Sequence, residues 1–432
     1  MNIISNHDGW MMTMARLSSE QAVEKLNKLA ANEYAKVNQL YFAKITITTN
    51  VCKTLTRVLS NPEKKWVQIK FVDCPYTKEP HLEPSVNDWE ELEFALKVEK
   101  LVLQTTCRFR ADECFFPISS ISKVKYLHIC THTMTQDIAN ELKEGLTKTK
   151  TLVELSFTGS RRLFKERSVL QSIATGLSKN TSIETLDLSD IYGDDEHMSA
   201  LLAVLSNSST LLKLDLSNNL IGHQTINTLA NTLLPTCKGL KDLDLHSQKC
   251  RVNMSILAPS LSLSNVRKLV LSNTQLEDED INALADALIQ PTVKISHLDL
   301  ENNRRVTNNA LLYLVEKLPN VKYLRHLNIR KMTGDKSKEV LKAIAKNIRD
   351  NTHLLFLRID YFVCVEQTEI KNLGLGLGDR GGRRVLEENM PLTTLPNILE
   401  RANGMTYCPN APADRIYTMI RNTPELWSAM IN

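Results

Sequence analysis

The chain has 432 residues, a formal net charge of +4 and 42% hydrophobic residues. That hydrophobic share excludes a wholly disordered chain, and 14 glycines with 14 prolines exclude a collagen-like polymer. The small net charge gives no indication of a nucleic-acid partner, and no run of about 18 apolar residues predicts a membrane span. Leucine is over-represented, with 63 residues or one in seven, so we searched the chain for internal repeats.

The N-terminal part of the chain is predicted to be a cap, residues 1–39. It has no lysine or arginine before Arg16 and no uninterrupted apolar core, so a secretory signal is not expected. Ser18, Ala22, Leu26 and Leu29 have helical spacing, which predicts an amphipathic helix over residues 18–39 that covers the first repeat. Nine cysteines without a CxxC pair indicate reduced thiols and a cytoplasmic protein, with the nucleus as the alternative.

Residues 40–362 contain a recurring frame of the form apolar-x-x-apolar-x-apolar. The spacing between successive frames is 24 to 32 residues, with a mean near 28, and the first two copies fit loosely. The central residues of the frames are Ile45, Ile69, Leu101, Leu127, Leu155, Leu186, Leu214, Leu243, Leu269, Leu298, Leu327 and Leu357. One such frame is common by chance, whereas twelve in register predict a repeat protein.

Each repeat is predicted to hold one strand and one helix. The frame alternates apolar and polar residues, as a strand with one buried face does. An apolar stripe with helical spacing follows, for example Ile281, Leu284 and Leu288. Because such a unit cannot bury its own apolar face, the units must stack. The wider helices then lie outside the narrower strands, which predicts an α/β horseshoe of about 12 repeats with a concave parallel sheet and convex helices.

The frame at Leu211, Leu214 and Leu216 continues to Asn219 and Ile221 and completes the motif L-x-x-L-x-L-x-x-N-x-I. The sequence thereby resembles the leucine-rich-repeat superfamily, specifically its ribonuclease-inhibitor-like class. The asparagine recurs at Asn303, but other residues replace it at His132, Ser160, Ile191, Gln248 and Thr274. Those turns must satisfy their buried backbone groups differently. The resemblance implies a fold and says little about function.

Residues 363–432 are predicted to be a linker and a helical C-terminal cap. The glycine-rich segment 372–384 matches no phosphate-binding loop, so we interpret it as a flexible link. Two helical stretches follow, near residues 394–403 and 412–427. This tail is similar to the tails of leucine-rich-repeat proteins that are abundant in diatoms.

No catalytic or metal-binding signature stands out. His128, Cys130 and His132 are close in sequence, but a strand gives them no further ligands, so the structural interpretation is favoured over a metal site. No hydrolase motif and no Walker motif occurs. We therefore expect no enzyme activity and no cofactor.

The predicted concave face is formed by the polar residues that flank the frame centres. The first three strands present Lys44, Lys70 and Lys100, the middle strands present acids, and the last strands present His, Asn and Arg. The candidate partner-binding residues are Glu154, Asp187, Lys213, Asp215, Asp242, Asp244, His246, His297, Asp299, Glu301, His326, Arg330, Phe356 and Arg358, with Arg161, Arg162, Arg304 and Arg305 on the rim loops. The aspartates are either a habit of the L-D-L frame or a stripe that docks a basic segment of a partner.

Three functions are compatible with this pattern. The first is a non-enzymatic protein-interaction scaffold, monomeric, with a protein partner on the concave face. The second is an activator of a small GTPase, which the similar repeat length of the Ran-activating branch implies, although this chain lacks the acidic C-terminal region of that branch. The third is actin capping as in tropomodulin, whose repeat domain is shorter and whose actin-binding N-terminal segment is missing here.

Overall fold

A computed structural model describes residues 2–6, 9–75, 85, 91–92, 98–105, 124–163, 166–332, 340, 343, 347, 354 and 356–358. The chain divides into two compact units, Met1–Leu220 and Ile221–Asn432. In both units the recurring element is a short strand followed by a helix or a helical turn.

The first unit is built on parallel strands with one antiparallel hairpin. Its described strands are β1 (Asn2–Asn6), β2 (Gly9–Ala15), β3 (Val37–Ala43), β4 (Gln68–Val72), β5 (Lys100–Gln104), β6 (Tyr126–Cys130), β7 (Glu154–Ser156), β8 (Thr185–Asp187) and β9 (Lys213–Asp215). β1 pairs with β2 in antiparallel fashion, and each later strand pairs with its predecessor in parallel.

The helices of the first unit begin at side chains that cap them. The described helices are α1 (Ser19–Ala30), α2 (Thr49–Leu59), α3 (Gln136–Lys148), α4 (Arg167–Lys179) and α5 (Asp195–Leu205). Ser18 and Gln21 form a capping box at the start of α1, and Thr48, Thr135 and Asp194 cap three of the others. These side chains accept N–H groups that have no partner inside the helix.

The second unit repeats the arrangement with shorter strands. Its described strands are β10 (Asp242–Asp244), β11 (Lys268–Val270), β12 (His297–Asp299), β13 (His326–Asn328) and β14 (Phe356–Arg358), all parallel to their neighbours. Its described α-helices are α6 (His223–Thr228), α7 (Leu234–Thr236), α8 (Met254–Ser260), α9 (Asp278–Leu288) and α10 (Asn308–Lys317). A π-helical segment, Leu229–Leu233, joins α6 to α7, and 3₁₀ turns at Leu261–Leu263 and Leu318–Asn320 follow α8 and α10.

The core of each unit consists of the frame centres and the helix stripes. In the second unit Leu243, Leu269, Leu298 and Leu327 pair in register along the sheet and are at most 2% exposed. In the first unit the same line runs through Leu40, Ile69, Leu101, Leu127, Leu155, Leu186 and Leu214. Burying one such side chain contributes about 1.5–3 kcal/mol, so the repeated frame accounts for much of the stability.

A left-handed residue follows most of the frame centres by four positions. Its φ angle is 48–64° at the non-glycine residues and 80° at the glycine. The residues are Arg16, Lys44, Asp73, Gly159, Asp190, Asn218, Ser247, Asn273, Asn302 and Lys331. Asparagine and aspartate occupy half of these positions because they tolerate this conformation better than other side chains. The turn after the strand therefore repeats as strictly as the strand itself.

This turn corrects the position of the first repeat. The sequence predicts a frame centred on Ile45, but Lys44 is the left-handed residue and the frame centre is Leu40, which pairs with Ile69. Ile45 and Ile47 are apolar because they are buried in the connection that follows β3. The prediction of Lys44 on the concave face is therefore wrong.

The N-terminal cap also contains more than the predicted helix. Helix α1 lies inside the predicted range 18–39, but β1 and β2 precede it. Met12 pairs with Leu40 and is fully buried, and Arg16 is left-handed, so β2 has the geometry of a repeat strand. The sequence search misses it because methionines replace the expected leucines. The domain boundaries 1–39, 40–362 and 363–432 stay predictions, and residues 359–432 lie outside the described residues.

Candidate functional site

One face of the sheet in each unit is lined by the residues that flank the frame centres. We call it the open face, and it corresponds to the predicted concave face. In the second unit its residues are Asp242, Asp244, His246, Lys268, Val270, His297, Asp299, Glu301, His326, Asn328 and Arg330, most of them partly exposed. In the first unit Glu154, Asp187, Lys213 and Asp215 lie on this face.

The strand aspartates hold the turns that follow their strands. Oδ1 of Asp187 accepts the N–H of Ser189 at 2.9 Å, and Oδ1 of Asp215 accepts that of Ser217 at 2.8 Å. In the second unit Asp244 and Asp299 accept the N–H groups two residues later in the same way, both at 2.9 Å. This geometry is an Asx turn, and it gives the L-D-L frame a structural cause.

Asp187 is the centre of a hydroxyl network in the first unit. Besides the turn N–H, it accepts hydrogen bonds from Ser189 Oγ at 2.7 Å, Ser156 Oγ at 3.0 Å and Thr158 Oγ1. Ser156 Oγ also lies 2.9 Å from Nδ1 of His128. The serine therefore stands between the imidazole and the carboxylate. A nucleophilic triad needs the histidine in that middle position, so this chain of contacts is not a hydrolase site.

The ring of His128 is held in its neutral form. Burial lowers its pKa below the ordinary value, and the charges of Lys100 and Lys70 lower it further. Asp187 acts in the opposite direction, with a smaller effect than burial. A neutral ring whose Nδ1–H donates to Ser156 fits the contacts of the network.

Three acids of the predicted site have carboxylates that accept no N–H of such a turn. Glu154 lies on β7 and is partly exposed, and Asp242 occupies the first position of β10. Glu301 follows β12 and binds Asn328 Nδ2 at 3.1 Å and Lys331 Nζ at 3.5 Å. These carboxylates can be altered without removing an Asx turn, which makes them the informative acids on this face.

Two histidines stack on the open face of the second unit. The ring centroids of His297 and His326 are 4.0 Å apart, with an angle of 10° between the planes. Burial lowers the pKa of His297, Lys268 lowers it further, and Asp242 opposes both. A third imidazole, that of His246, lies 2.9 Å from Asp244 through its Nδ1. The surface is therefore a mixture of carboxylates and imidazole rings.

The remaining predicted residues of the face are placed by the backbone. Lys213 is exposed, and Arg330 is partly exposed, with its N–H bound to Asn328. The register sets Phe356 opposite His326 and Arg358 opposite Asn328. The side chains of Phe356 and Arg358 lie outside the described residues.

Two of the four predicted rim arginines connect neighbouring repeats. Arg161 donates to Asp190 at 3.3 Å and lies over the ring of Tyr192, at 4.8 Å from its centroid. In the second unit Arg305 donates to Glu277 at 3.3 Å. Arg304 contacts only its own turn, through Asn302 at 2.9 Å, and Arg162 is exposed. The rim arginines other than Arg162 thus have structural contacts of their own.

The described part of the chain holds neither a cluster suited to a metal ion nor a helix suited to a membrane. Among the described residues, no group of three or more His, Cys, Asp and Glu side chains is arranged to hold a metal ion. Nor does any described helix have the length and apolar character needed to cross a membrane.

The predicted site leaves out part of the open face in the first unit. Tyr41 lies directly opposite Lys70, and Lys100 directly opposite Tyr126. Lys70 Nζ lies 5.7 Å from the centroid of the Tyr41 ring. Tyr41 is missed because the first frame is misplaced by five residues. The excess of lysine in the first strands is the signal that points to the others.

Comparisons with known proteins give a curated relative and several solved structures that resemble the chain. No model of a known protein family matches the chain. The chain is 24% identical over 387 residues to mouse (Mus musculus) NACHT, LRR and PYD domains-containing protein 14. The matched region is 79% of this chain and 37% of that protein, so the chain spans just over a third of the length of this curated relative.

Two of the solved structures cover different shares of the chain. Leiomodin-1 Actin-Binding Site 2 is 22% identical, with a TM-score of 0.28, and covers 33% of this chain and 84% of its own. A chain from the crystal structure of the Rad7 and Elc1 complex in yeast is 14% identical, with a TM-score of 0.40, and covers 81% and 89%. Both scores are low, so neither likeness carries an argument. The repeated frame and the parallel strands are typical of a repeat protein of the leucine-rich type. The curated relative has LRR domains in its name.

Proposed function

We propose that the chain is a non-enzymatic scaffold that binds a protein partner through the open face of its second unit. The observation that carries this proposal is the set of four carboxylates on β10, β12 and the following turns, namely Asp242, Asp244, Asp299 and Glu301. The described cations of the same face are fewer, Lys268 and Arg330. An excess of acid on a rigid surface favours a basic segment of the partner.

The rigidity of this face supports binding. The parallel ladder fixes the backbone, and the Asx turns of Asp244 and Asp299 fix two of the carboxylates. A surface that is ordered before binding loses little conformational entropy when a partner docks. The stacked pair His297 and His326 adds a flat, partly apolar area beside the acids.

We further propose that the repeats are of the ribonuclease-inhibitor-like class. The described helices α3, α4, α5, α9 and α10 have 10 to 13 residues, which suits the full helices of that class. The horseshoe curvature, the number of about 12 repeats, the monomeric state and the cytoplasmic location stay predictions. The GTPase-activator alternative has no observation in its favour among the described residues.

The test is affinity capture from the native source with the full chain and with a variant that carries Asp242→Lys and Glu301→Lys. Neither substitution removes an Asx turn, so the fold should persist, and circular dichroism checks this. We expect the variant to lose the partners that the wild-type chain retains.

The matched control is Glu316→Lys, an exposed acid on α10, away from the open face. This variant should retain all partners. If the open-face variant keeps the same partners as the wild-type chain, the proposed binding face is wrong.

A further inference from the structure

On β2–β6 the open face of the first unit has the opposite charge from the open face of the second unit. Its described residues on β2–β6 include Lys70 and Lys100 and no acid. Glu154 on β7, opposite Tyr126, is the first carboxylate along this face and marks its boundary. The residues Tyr41, Lys70, Lys100 and Tyr126 are referred to below as the tyrosine–lysine surface.

These four side chains form two cross-strand pairs. In register, Tyr41 of β3 lies opposite Lys70 of β4, and Lys100 of β5 lies opposite Tyr126 of β6. The first pair brings an ammonium group beside an aromatic ring, and the second is set by the strand register. Because the pairs lie on adjacent strands, the two lysines are inside and the tyrosines outside. Across the three strand spacings the surface is about 14 Å wide.

The two lysines have no carboxylate partner among the described residues. Elsewhere in this unit the chain does supply one, since Glu99 lies 2.9 Å from Lys65 and 4.0 Å from Lys125. Lys100 is exposed, and the ammonium group of Lys70 lies 5.7 Å from the centroid of the Tyr41 ring. Their positive charges therefore act on the space above the sheet and on each other. Burial lowers the pKa of the nearby His128, and the charges of Lys100 and Lys70 lower it further.

The tyrosines give the surface an apolar component. Tyr126 is 37% exposed, which is large for an aromatic ring on a sheet face, and Tyr41 is partly exposed. An aromatic side chain with a polar end contributes contact area at little loss of conformational entropy. Exposed cations flanked by rings bind best to a ligand that has both carboxylates and apolar groups.

The spacing of the lysines indicates an extended ligand. Lys100 is one strand away from Lys70 and offset by two residues, because Lys70 pairs with Val102. The two Cα atoms are therefore about 8 Å apart along a diagonal. In an extended peptide the side chains of residues i and i+2 point to one side and are about 7 Å apart. Two acids in such a peptide can each reach one lysine.

We propose that the tyrosine–lysine surface docks an extended acidic peptide segment of a protein partner. Its two carboxylates are two residues apart, and apolar side chains two residues before and after them, on the same side of the peptide, lie over the tyrosines. Nucleic acid suits this surface less well, because two lysines can neutralise few phosphates and specific binders contact about six to ten. The inference goes beyond the proposed function, since it concerns another unit and a ligand of the opposite charge.

The test measures fluorescence polarisation of a labelled decapeptide that contains the sequence Val-Ser-Glu-Ser-Glu-Ser-Val, in which the valines and glutamates share one side of the extended chain, added to the full chain. We expect binding that weakens with salt, and a loss of at least about tenfold in affinity for the double variant Lys70→Glu and Lys100→Glu. Tyr126→Ala should weaken binding by about threefold, because the apolar contact is lost. If the charge reversals disturb folding, the pair Lys70→Gln and Lys100→Gln takes their place.

The matched control is Lys25→Glu with Lys179→Glu, which changes the net charge equally on helices α1 and α4. This control should bind the peptide as the wild-type chain does. The variant Asp242→Lys with Glu301→Lys should also bind the peptide normally, so that this test can fail or succeed independently of the test of the proposed function. Equal binding by the Lys70 and Lys100 variant, or equal binding of a peptide with lysine in place of glutamate, would overturn the inference. The inference would also be overturned if labelled oligouridine bound more tightly than the acidic peptide and this binding depended on Lys70 and Lys100.

Discussion

The Nε atom of Arg251 lies 2.7 Å from Oδ2 of Asp280, which is fully buried, and this contact joins two successive repeats. The same carboxylate accepts the N–H of Glu277 at 2.9 Å, and its other oxygen accepts the N–H of Met254 at 2.9 Å. The aspartate thereby closes the first turn of its own helix and that of the preceding one. The acids around Arg251 raise the pKa of the guanidinium, with the hydrogen bond to Asp280 as the largest cause.

Replacing Asp280 should destabilise the second unit strongly. Asp280→Ala leaves one buried and one partly buried N–H group without an acceptor and removes the buried carboxylate from Arg251, which predicts a loss of about 3 kcal/mol in the free energy of unfolding. Glu279→Ala is the control, because it removes another carboxylate from the same arginine, at 3.2 Å, but at a side chain that is 69% exposed. That loss should be below about 1 kcal/mol. Urea denaturation compares the two, and similar losses would contradict this account.

The two motif asparagines should differ in their contribution to stability. Asn303 donates to Leu271 and Leu300 and accepts the N–H groups of Thr274 and Leu276. Asn219 donates to three carbonyl groups, but its Oδ1 atom has no hydrogen-bond partner within the described residues. Asn303→Ala should therefore cost about 1–2 kcal/mol more than Asn219→Ala. Thermal unfolding of the two variants tests the order, and a larger loss for Asn219→Ala would refute it.

The repeat and most of its register could be predicted from the sequence, because burial selects the same residue type at each frame centre. Leu186, Leu214 and Leu298 are recognisable without any structure, since a period of 28 to 31 residues connects them to their neighbours. The N-terminal strands could not be predicted in the same way. Met12 fills a frame position without resembling leucine, and Ile45 is apolar for a reason unrelated to the strand.

The turns show what local pattern alone does not contain. At two of the positions that depart from the motif asparagine, a hydroxyl takes over part of its role: Ser160 Oγ accepts the N–H of Thr131 and donates to Ile129, and Thr274 Oγ1 donates to Leu271. The sequence does not show whether the carboxylate of Asp187 is free to bind a partner. In the structure it is bound by its own turn and by Ser156 and Thr158 of the preceding repeat. Such contacts are fixed by the stacking, so only the structure reveals them. The predicted aspartate stripe is in large part a row of turn caps.

Glycine at a left-handed position should stabilise the fold. Lys44 has a φ of 55° and an exposed side chain, so Lys44→Gly removes the steric cost of this conformation without losing a buried contact. The gain should be about 0.5–1 kcal/mol, because the greater freedom of glycine in the unfolded chain offsets part of it. Lys44→Val should instead destabilise, since a β-branched side chain tolerates this region least. Urea denaturation of both variants decides, and a loss of stability with glycine would contradict the turn assignment.

The neutral state of His128 should make the stability of the first unit depend on pH. Burial, Lys100 and Lys70 place the pKa of this ring below the ordinary value of 6.5. As the pH falls, this histidine takes up its proton first in the unfolded chain. The contribution of the neutral ring to the free energy of unfolding is therefore complete above about pH 6.5, and it is lost as the pH falls toward the lower pKa of the folded state. His128→Gln keeps a polar contact for Ser156 and cannot be protonated. The Tm of the His128→Gln variant should therefore fall less than that of the wild-type chain between pH 7.5 and pH 5, because protonation of the histidine in this interval stabilises the unfolded wild-type chain. Parallel Tm curves for the two chains over this interval would mean that His128 is not held neutral by its surroundings.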